Sequence, residues 1–403
     1  MTRFIEIHAL QWFPLSCINR DDAGLPKSMP LAGTRRARWS SQSQKFALRK
    51  ALADHLDADT LSVKTRRLPL HVIAELVKQG RPEKEAAERV VRLFGYKDTD
   101  KGKKGLVDLE MLKKLRAGQT PTLDEDGNEV GAIVTVDTIG FTGRTNVLIP
   151  AHRNAYQGLA QLVSDHWDEL GKTLDAKTKK TVAAAAEKVL DAGRLVDVAL
   201  FGRMLTEIAD QSVEAACSVA HGFTTHPDDY LTEFWSAVDD DQGSQGHAGS
   251  ANMGHQGFTS GCFYRYGVVN LDQFATGPLR DDDALARKGV AAFLTGFSRL
   301  RPSAMEHGTA PYVDPALVVV VATDTPRMLG DAFTRPVHDD YLRESAEALG
   351  ATWDAWATAY ADGATGHACI THPDIKGVVF DNATLHDTVA ATIDSAMEDA
   401  YRG

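Results

Sequence analysis

The run Ala316-Leu-Val-Val-Val-Val-Ala322 is the stretch that most restricts the fold. Seven uninterrupted apolar residues ending in Thr-Asp-Thr read as a strand buried in a sheet. The same run is the longest apolar one in the chain and falls far short of the roughly 20 residues a membrane span needs. A second strand is legible at the N-terminus, where "TRFIEIHALQ" places Ile5, Ile7 and Ala9 on one face and Glu6 and His8 on the other. That segment lacks the long apolar region of a signal peptide, so the expected compartment is the cytoplasm.

Between these strands the pattern changes. "PLSCINRDDAGLPKSMPLAGT" is rich in Pro, Gly, Asp and Ser and reads as a long loop. Ser40 or Ser41 can cap a helix running to about His55, with Leu48, Ala51, Leu52, His55 and Leu56 as its apolar stripe. Residues 61–200 are mainly helical, interrupted by "TLDEDGNEVGAIVTVD", a hairpin-like stretch with an Asp-Gly turn. A helix is expected near "DVALFGRMLTEIADQSVEAACSVAHG", followed by a loose, glycine-rich segment, the strand "FTSGCFYRYGVVNL" and a helix over about 281–298. The order fits an α+β sheet domain carrying insertions, with no internal repeat.

Charge is unevenly placed. The chain carries a net −11, yet residues 1–50 hold nine Lys or Arg against three Asp or Glu. Six of those cations, Arg35, Arg36, Arg38, Lys45, Arg49 and Lys50, lie in "AGTRRARWSSQSQKFALRK" with no acid among them. Gln42, Lys45 and Arg49 share one edge of the predicted helix, and Ser40, Ser41 and the first-turn N–H groups can add neutral donors for phosphate oxygens. An acidic body with a basic N-terminal segment suggests a local polyanion site. Between Arg203 and Arg265, by contrast, there is no Lys or Arg.

Other chemical signals are weak. "ELGKT" resembles the tail of a P-loop, but His166 stands where the motif needs its first glycine. "DTDKGKKGLVDLE" and "LDEDGNEV" do not keep calcium-loop spacing. His221, His226, His247 and His255 match no zinc pattern, and the four cysteines are single, which suits small buried apolar residues. No cofactor is implied. Asp21 and Asp22 are a paired-carboxylate alternative, able in principle to hold Mg²⁺ for phosphodiester cleavage.

The residues also carry a resemblance. "CINRDD", "PKS" and "AGTRRARWSSQSQKFALRK", followed by "ALFGRM", "SVAHGFTTH", "FWSAVDD" and "GHQGFTSGCFYRYGVVNL", resemble the CasC backbone subunits of type I-E CRISPR Cascade complexes. The resemblance implies an RRM-like (ferredoxin-like) palm over residues 1–60, 201–221 and 258–403. It also implies a helical fingers insertion over 61–200 and a thumb loop over 222–257. It implies a non-catalytic subunit whose copies stack as a helical filament on one CRISPR RNA, beside other Cascade subunits, and present the guide to target DNA. Phosphate contacts then fall to Arg20, Lys27, Arg35, Arg36, Arg38, Ser40, Gln42, Lys45 and Arg49. Met204 on the palm side and Trp235 and Met253 on the thumb become apolar wedges between bases. Metal-dependent ribonuclease activity through Asp21 and Asp22 is the rival reading. One position departs from the family: Phe46 stands where relatives often carry a second base, suited to stacking on a base or packing on the next subunit.

Overall fold

The computed structural model describes residues 3–97, 107–108, 145, 147–172, 174–205, 212–237, 252–302, 304–360 and 363–402. They form an α+β protein that clusters into two units. One comprises Met1–Leu56, Ala216–Thr276 and Asp282–Gly403; the other comprises Asp57–Ala215 and Gly277–Asp281.

The first unit opens with β1 (Phe4–Ser16), β2 (Ser28–Leu31), β3 (Thr34–Trp39) and α1 (Ser41–Ala51). The second unit contributes β4 (Val63–Thr65), α2 (Leu68–Lys78), α3 (Glu83–Phe94), β5 (Tyr96–Lys97), β6 (Val107–Asp108), β7 (Ile149–Ala151), α4 (Ala155–Asp165), α5 (Ala176–Val189) and α6 (Val196–Phe201). Back in the first unit come β8 (Cys217–Val219), β9 (Gly222–Thr224), β10 (Leu231–Ala237), β11 (Asn252–Asn270) and α7 (Leu271–Thr276). The chain closes with α8 (Asp283–Ser298), β12 (Leu317–Thr323), α9 (Tyr341–Tyr360), β13 (Thr365–Ile370), β14 (Ala383–Leu385) and α10 (Val389–Tyr401).

A ten-stranded mixed sheet carries the first unit, in the order β14-β13-β12-β1-β11-β9-β3-β2, with β8 and β10 paired to other stretches of β11. The valine run is β12, buried along its whole length between β1 and β13. Val319 and Val321 pack with Leu10, Tyr264 and Trp353 beneath α9. Val318 and Val320 point to the other face, where α10 lies on β12 and β13.

Two-sided burial extends to β1. Its second face does not meet water: Glu6 and His8 are 1% and 0% exposed. Each has a local partner, Tyr266 Oη donating to Glu6 Oε2 at 2.8 Å and His8 Nδ1 lying 2.9 Å from Tyr264 Oη, while His8 Nε2 lies 3.5 Å from Glu6 Oε1 and makes no hydrogen bond to the described residues. All four cysteines are buried and unpaired.

The supposed N-terminal loop contains structure as well. Residues 28–39 form a hairpin, β2 paired to β3 through the two-residue turn Ala32–Gly33. Both turn residues have positive φ, 46° and 81°, as a type I′ turn requires. The long helix expected after Asp197 is shorter than its pattern: α6 ends at Gly202, whose φ of 78° stops it. The hairpin expected over 122–137 and the calcium-like loops lie outside the described residues apart from Val107–Asp108. The second unit is helical around one core, in which Leu68, Val72 and Leu76 of α2 meet Val90 of α3, Leu159 of α4 and Val182 of α5.

Candidate nucleic-acid interface

Helix α1 forms where its sequence allows. Ser40, at φ −64° and ψ 146°, is the N-cap, and its Oγ accepts the Ser43 N–H at 3.3 Å. Gln44, Leu48, Leu52 and Leu56 turn inward and are buried, while His55 of the predicted stripe is exposed. Gln44 Nε2 donates to Trp39 O at 3.1 Å and to Ala220 O at 2.9 Å, tying the helix to the end of β3 and to the segment before β9. With the helix fixed, Gln42 is exposed and Lys45 and Arg49 are half-buried along one flank. Phe46 projects outward, 53% exposed, with Lys50 Nζ 4.6 Å above its ring.

The three arginines of β3 part ways. Arg36 is a correction: it is 0% exposed, and its guanidinium donates to Thr224 O at 3.1 Å and Phe333 O at 3.0 Å. Burial lowers its pKa. Its charged end is spent on internal carbonyls, so it is a strut of the sheet and not part of the surface. Arg35 is half-exposed but not uncompensated. Its Nε lies 3.7 Å from Asp228 Oδ2, and its guanidinium stacks 4.6 Å from the Tyr230 ring. Asp228 also receives Thr259 Oγ1 at 3.0 Å, and burial raises its pKa against the opposing effects of Thr259 and Arg35. Arg38 pairs with Phe223 across β9 and stays partly exposed.

Arg20 and Lys27 sit at the two ends of a closed loop. The Lys27 N–H donates to Asn19 O at 2.7 Å, Arg20 bridges Pro26, and the Arg38 N–H donates to Lys27 O at 2.8 Å. Asn19 Oδ1 also accepts the Ser40 N–H at 3.1 Å, so the loop abuts the helix cap. Arg20, Lys27, Arg38, Ser40, Gln42, Lys45 and Arg49 therefore belong to one continuous run of loop, strand end and helix. Inside the loop, Asp21 Oδ1 accepts the N–H groups of Ala23 and Leu25, both at 2.9 Å, which shapes the turn. Among the described residues no group of three or more His, Cys, Asp or Glu is arranged to hold a metal ion.

Two of the first-turn donors counted on for phosphate are already used. The Ser43 N–H goes to Ser40 Oγ, and the Ser41 N–H goes to Nδ1 of His221 at 3.1 Å. Sequence reading missed His221 in this role, as it missed Asn19, Asp228 and Tyr230. His221 is 180 positions from Ser41, and only the pairing of β3 with β9 brings the two together.

The glycine-rich segment is also more regular than its composition suggests. β10 and the start of β11 form an antiparallel ribbon whose seven β10 residues are all exposed. Trp235 pairs with Gly254 and Ser236 with Met253. Directly opposed residues share a face, so Trp235 and Met253 lie on opposite faces of the ribbon. Trp235, 42% exposed, lies over Gly254, where a Cβ would come within 3.1 Å of the indole. Phe234, 60% exposed, shares the Met253 face and meets His255 edge-on at 5.5 Å. Residues 238–251 lie outside the described set, and Met204, 81% exposed, belongs to the other unit.

A sheet covered on both faces, a capped helix with cations along one flank and an exposed aromatic ribbon define an α+β protein with a localised basic surface. The chain belongs to the CT1975-like protein family of Cas proteins, whose model matches residues 5–399. Among solved structures it is similar to a chain of a CRISPR RNA-guided surveillance complex described as pre-nicking. That match has 27% identity and a TM-score of 0.81 and covers 99% of this chain and 100% of the other. A chain of another CRISPR RNA-guided surveillance complex matches at 25% identity and TM-score 0.69, over 98% of this chain and 100% of that one. No curated protein matches. Among the described residues no helix is long and apolar enough to cross a membrane.

Proposed function

We propose that the chain is a non-catalytic backbone subunit of a type I-E Cascade. It binds the spacer of CRISPR RNA through phosphate contacts, oligomerises along it as a helical filament beside other Cascade subunits, and offers the guide bases to target DNA in antiviral defence. In this reading the sheet is an RRM-like palm over residues 1–60, 201–221 and 258–403, the helical unit is the fingers over 61–200, and 222–257 is the thumb. Arg20, Lys27, Arg38, Gln42, Lys45 and Arg49 hold the RNA backbone. Trp235, Met253 and Met204 serve as apolar wedges, and sequence is read by base pairing alone.

The observation that carries the proposal is the α1 flank of Gln42, Lys45 and Arg49 beside the Arg20–Lys27 loop. It sits in a chain that aligns end to end with one from a CRISPR RNA-guided surveillance complex. Purification followed by sequencing of bound RNA tests it. A uniform CRISPR-derived RNA, and a mass that rises by whole copies of the chain when guide is added, are expected; a monomer on a full-length guide refutes the filament. Incubation with guide, complementary RNA and Mg²⁺ is expected to leave the RNA intact. Periodic cleavage abolished by Asp22→Ala refutes the non-catalytic assignment.

A further inference from the structure

His221 enters the basic surface from the segment that joins β8 to β9. Its Nδ1 accepts the Ser41 N–H at 3.1 Å. A ring nitrogen that accepts carries no proton, so the neutral imidazole holds its proton on Nε2. Burial, and secondarily the nearby charge of Arg38, keep the ring below its usual pKa and therefore neutral at pH 7. Nε2 makes no hydrogen bond to the described residues, and the ring is only partly buried. The structure thus presents a neutral donor, locked in one tautomer, beside a guanidinium and the first turn of α1.

We propose that His221 is a further guide-binding residue, donating Nε2–H to a backbone phosphate oxygen next to the one held by Arg38. The inference rests on the proposed function above. Its surroundings favour phosphate: Arg38 and the partial positive charge of the helix start both attract an anion, while an Nε2–H can only donate. A third cation at this point would repel Arg38 and give up the bond to Ser41. A neutral imidazole adds a phosphate contact at neither cost. Because it displaces no counterion, it adds affinity without adding to the salt dependence.

His221→Asn is the test variant: its Oδ1 can take the place of Nδ1 and still accept the Ser41 N–H, but it has no donor where Nε2–H stands. Spacer-length RNA should bind the variant about tenfold more weakly per copy than the unmodified chain, with the same slope of log affinity on log salt. Equal affinities, or a slope flattened as by the loss of a cation, overturn the role. A guide with 2′-deoxyriboses should show the same loss; disappearance of the effect there assigns the acceptor to the 2′-hydroxyl and overturns the phosphate contact.

A measurement on the unmodified chain does not depend on the variant folding. Imidazole ¹⁵N shifts of His221 should report a neutral ring protonated at Nε2, with that N–H shifted and protected from solvent exchange once guide binds. A proton on Nδ1, or an Nε2–H indifferent to guide, overturns the proposal. If the unmodified chain binds no RNA at all, the proposed function itself fails. If it binds and His221→Asn binds equally well, only the part given to His221 does.

Discussion

Lys45 and Arg49 occupy one flank of α1, a helix turn apart, and their replacement by alanine makes a quantitative test. Alanine is at least as good a helix former as either, and the buried side of α1 is untouched, so the fold should persist. For single-stranded nucleic acid each neutralised phosphate contributes about −0.7 to the slope of log affinity on log salt. Loss of both contacts should flatten the slope by about 1.4. Between 50 and 200 mM salt each contact is then worth about 2.6-fold in salt sensitivity and the pair about sevenfold. The ratio of wild-type to double-variant affinity should fall by that factor across the range, whatever the guide sequence. Fluorescence anisotropy with an RNA short enough for one copy measures it directly. Arg36→Met is the internal control: its guanidinium is 0% exposed and engaged by Thr224 O and Phe333 O, so it should lower stability and leave the slope alone. An unchanged slope in the double variant, or equal flattening by Arg36→Met, refutes the assignment of the basic surface.

Trp235→Ala should leave RNA affinity within a few fold while impairing target-strand hybridisation or filament order; complete loss of RNA binding contradicts a wedge. Phe234→Ala, on the other face of the ribbon, separates the two faces in the same assay. Gly261 has a φ of 154°, and a Cβ there would meet His226 Nε2 at 2.1 Å, so Gly261→Ala should cost about 1–3 kcal/mol in denaturant unfolding. His226 is held neutral, chiefly by burial, with its pKa lowered from 6.5. An unfolded chain binds that proton more readily, so stability should be fully present above pH 6.5 and decline as the pH falls from there towards the lowered value. Unfolding midpoints at pH 7.5, 6.5 and 5.5 check this, and His226→Gln should weaken the dependence. A wild-type midpoint that does not move over that range contradicts the argument.

Much of this architecture was readable along the chain wherever the signal was local. The valine run, the helix cap at Ser40 and the outward turn of Phe46 each follow from neighbours within a few residues. The α+β class followed from their order. Signals that failed were those whose meaning depends on a partner strand. Glu6 and His8 alternate like a solvated face, but α9 covers that side and two tyrosines bond to them. The glycine-rich stretch near Trp235 read as loose because glycine lowers strand propensity, yet Gly254 is what lets the indole lie against the ribbon.

By itself the sequence determined that cations would concentrate before and within the first helix, because their positions and the cap are covalently set. It could not determine which of them face the solvent. Arg35, Arg36 and Arg38 are equivalent as letters. Pairing with β2 and β9 and the cover of Phe333 bury one of them, Asp228 takes another, and Arg38 keeps a partly exposed surface. Nor could it place His221 on Ser41, a contact across 180 residues. Hydrogen bonds and burial depend on distance in space, and only the closed sheet brings those residues within reach.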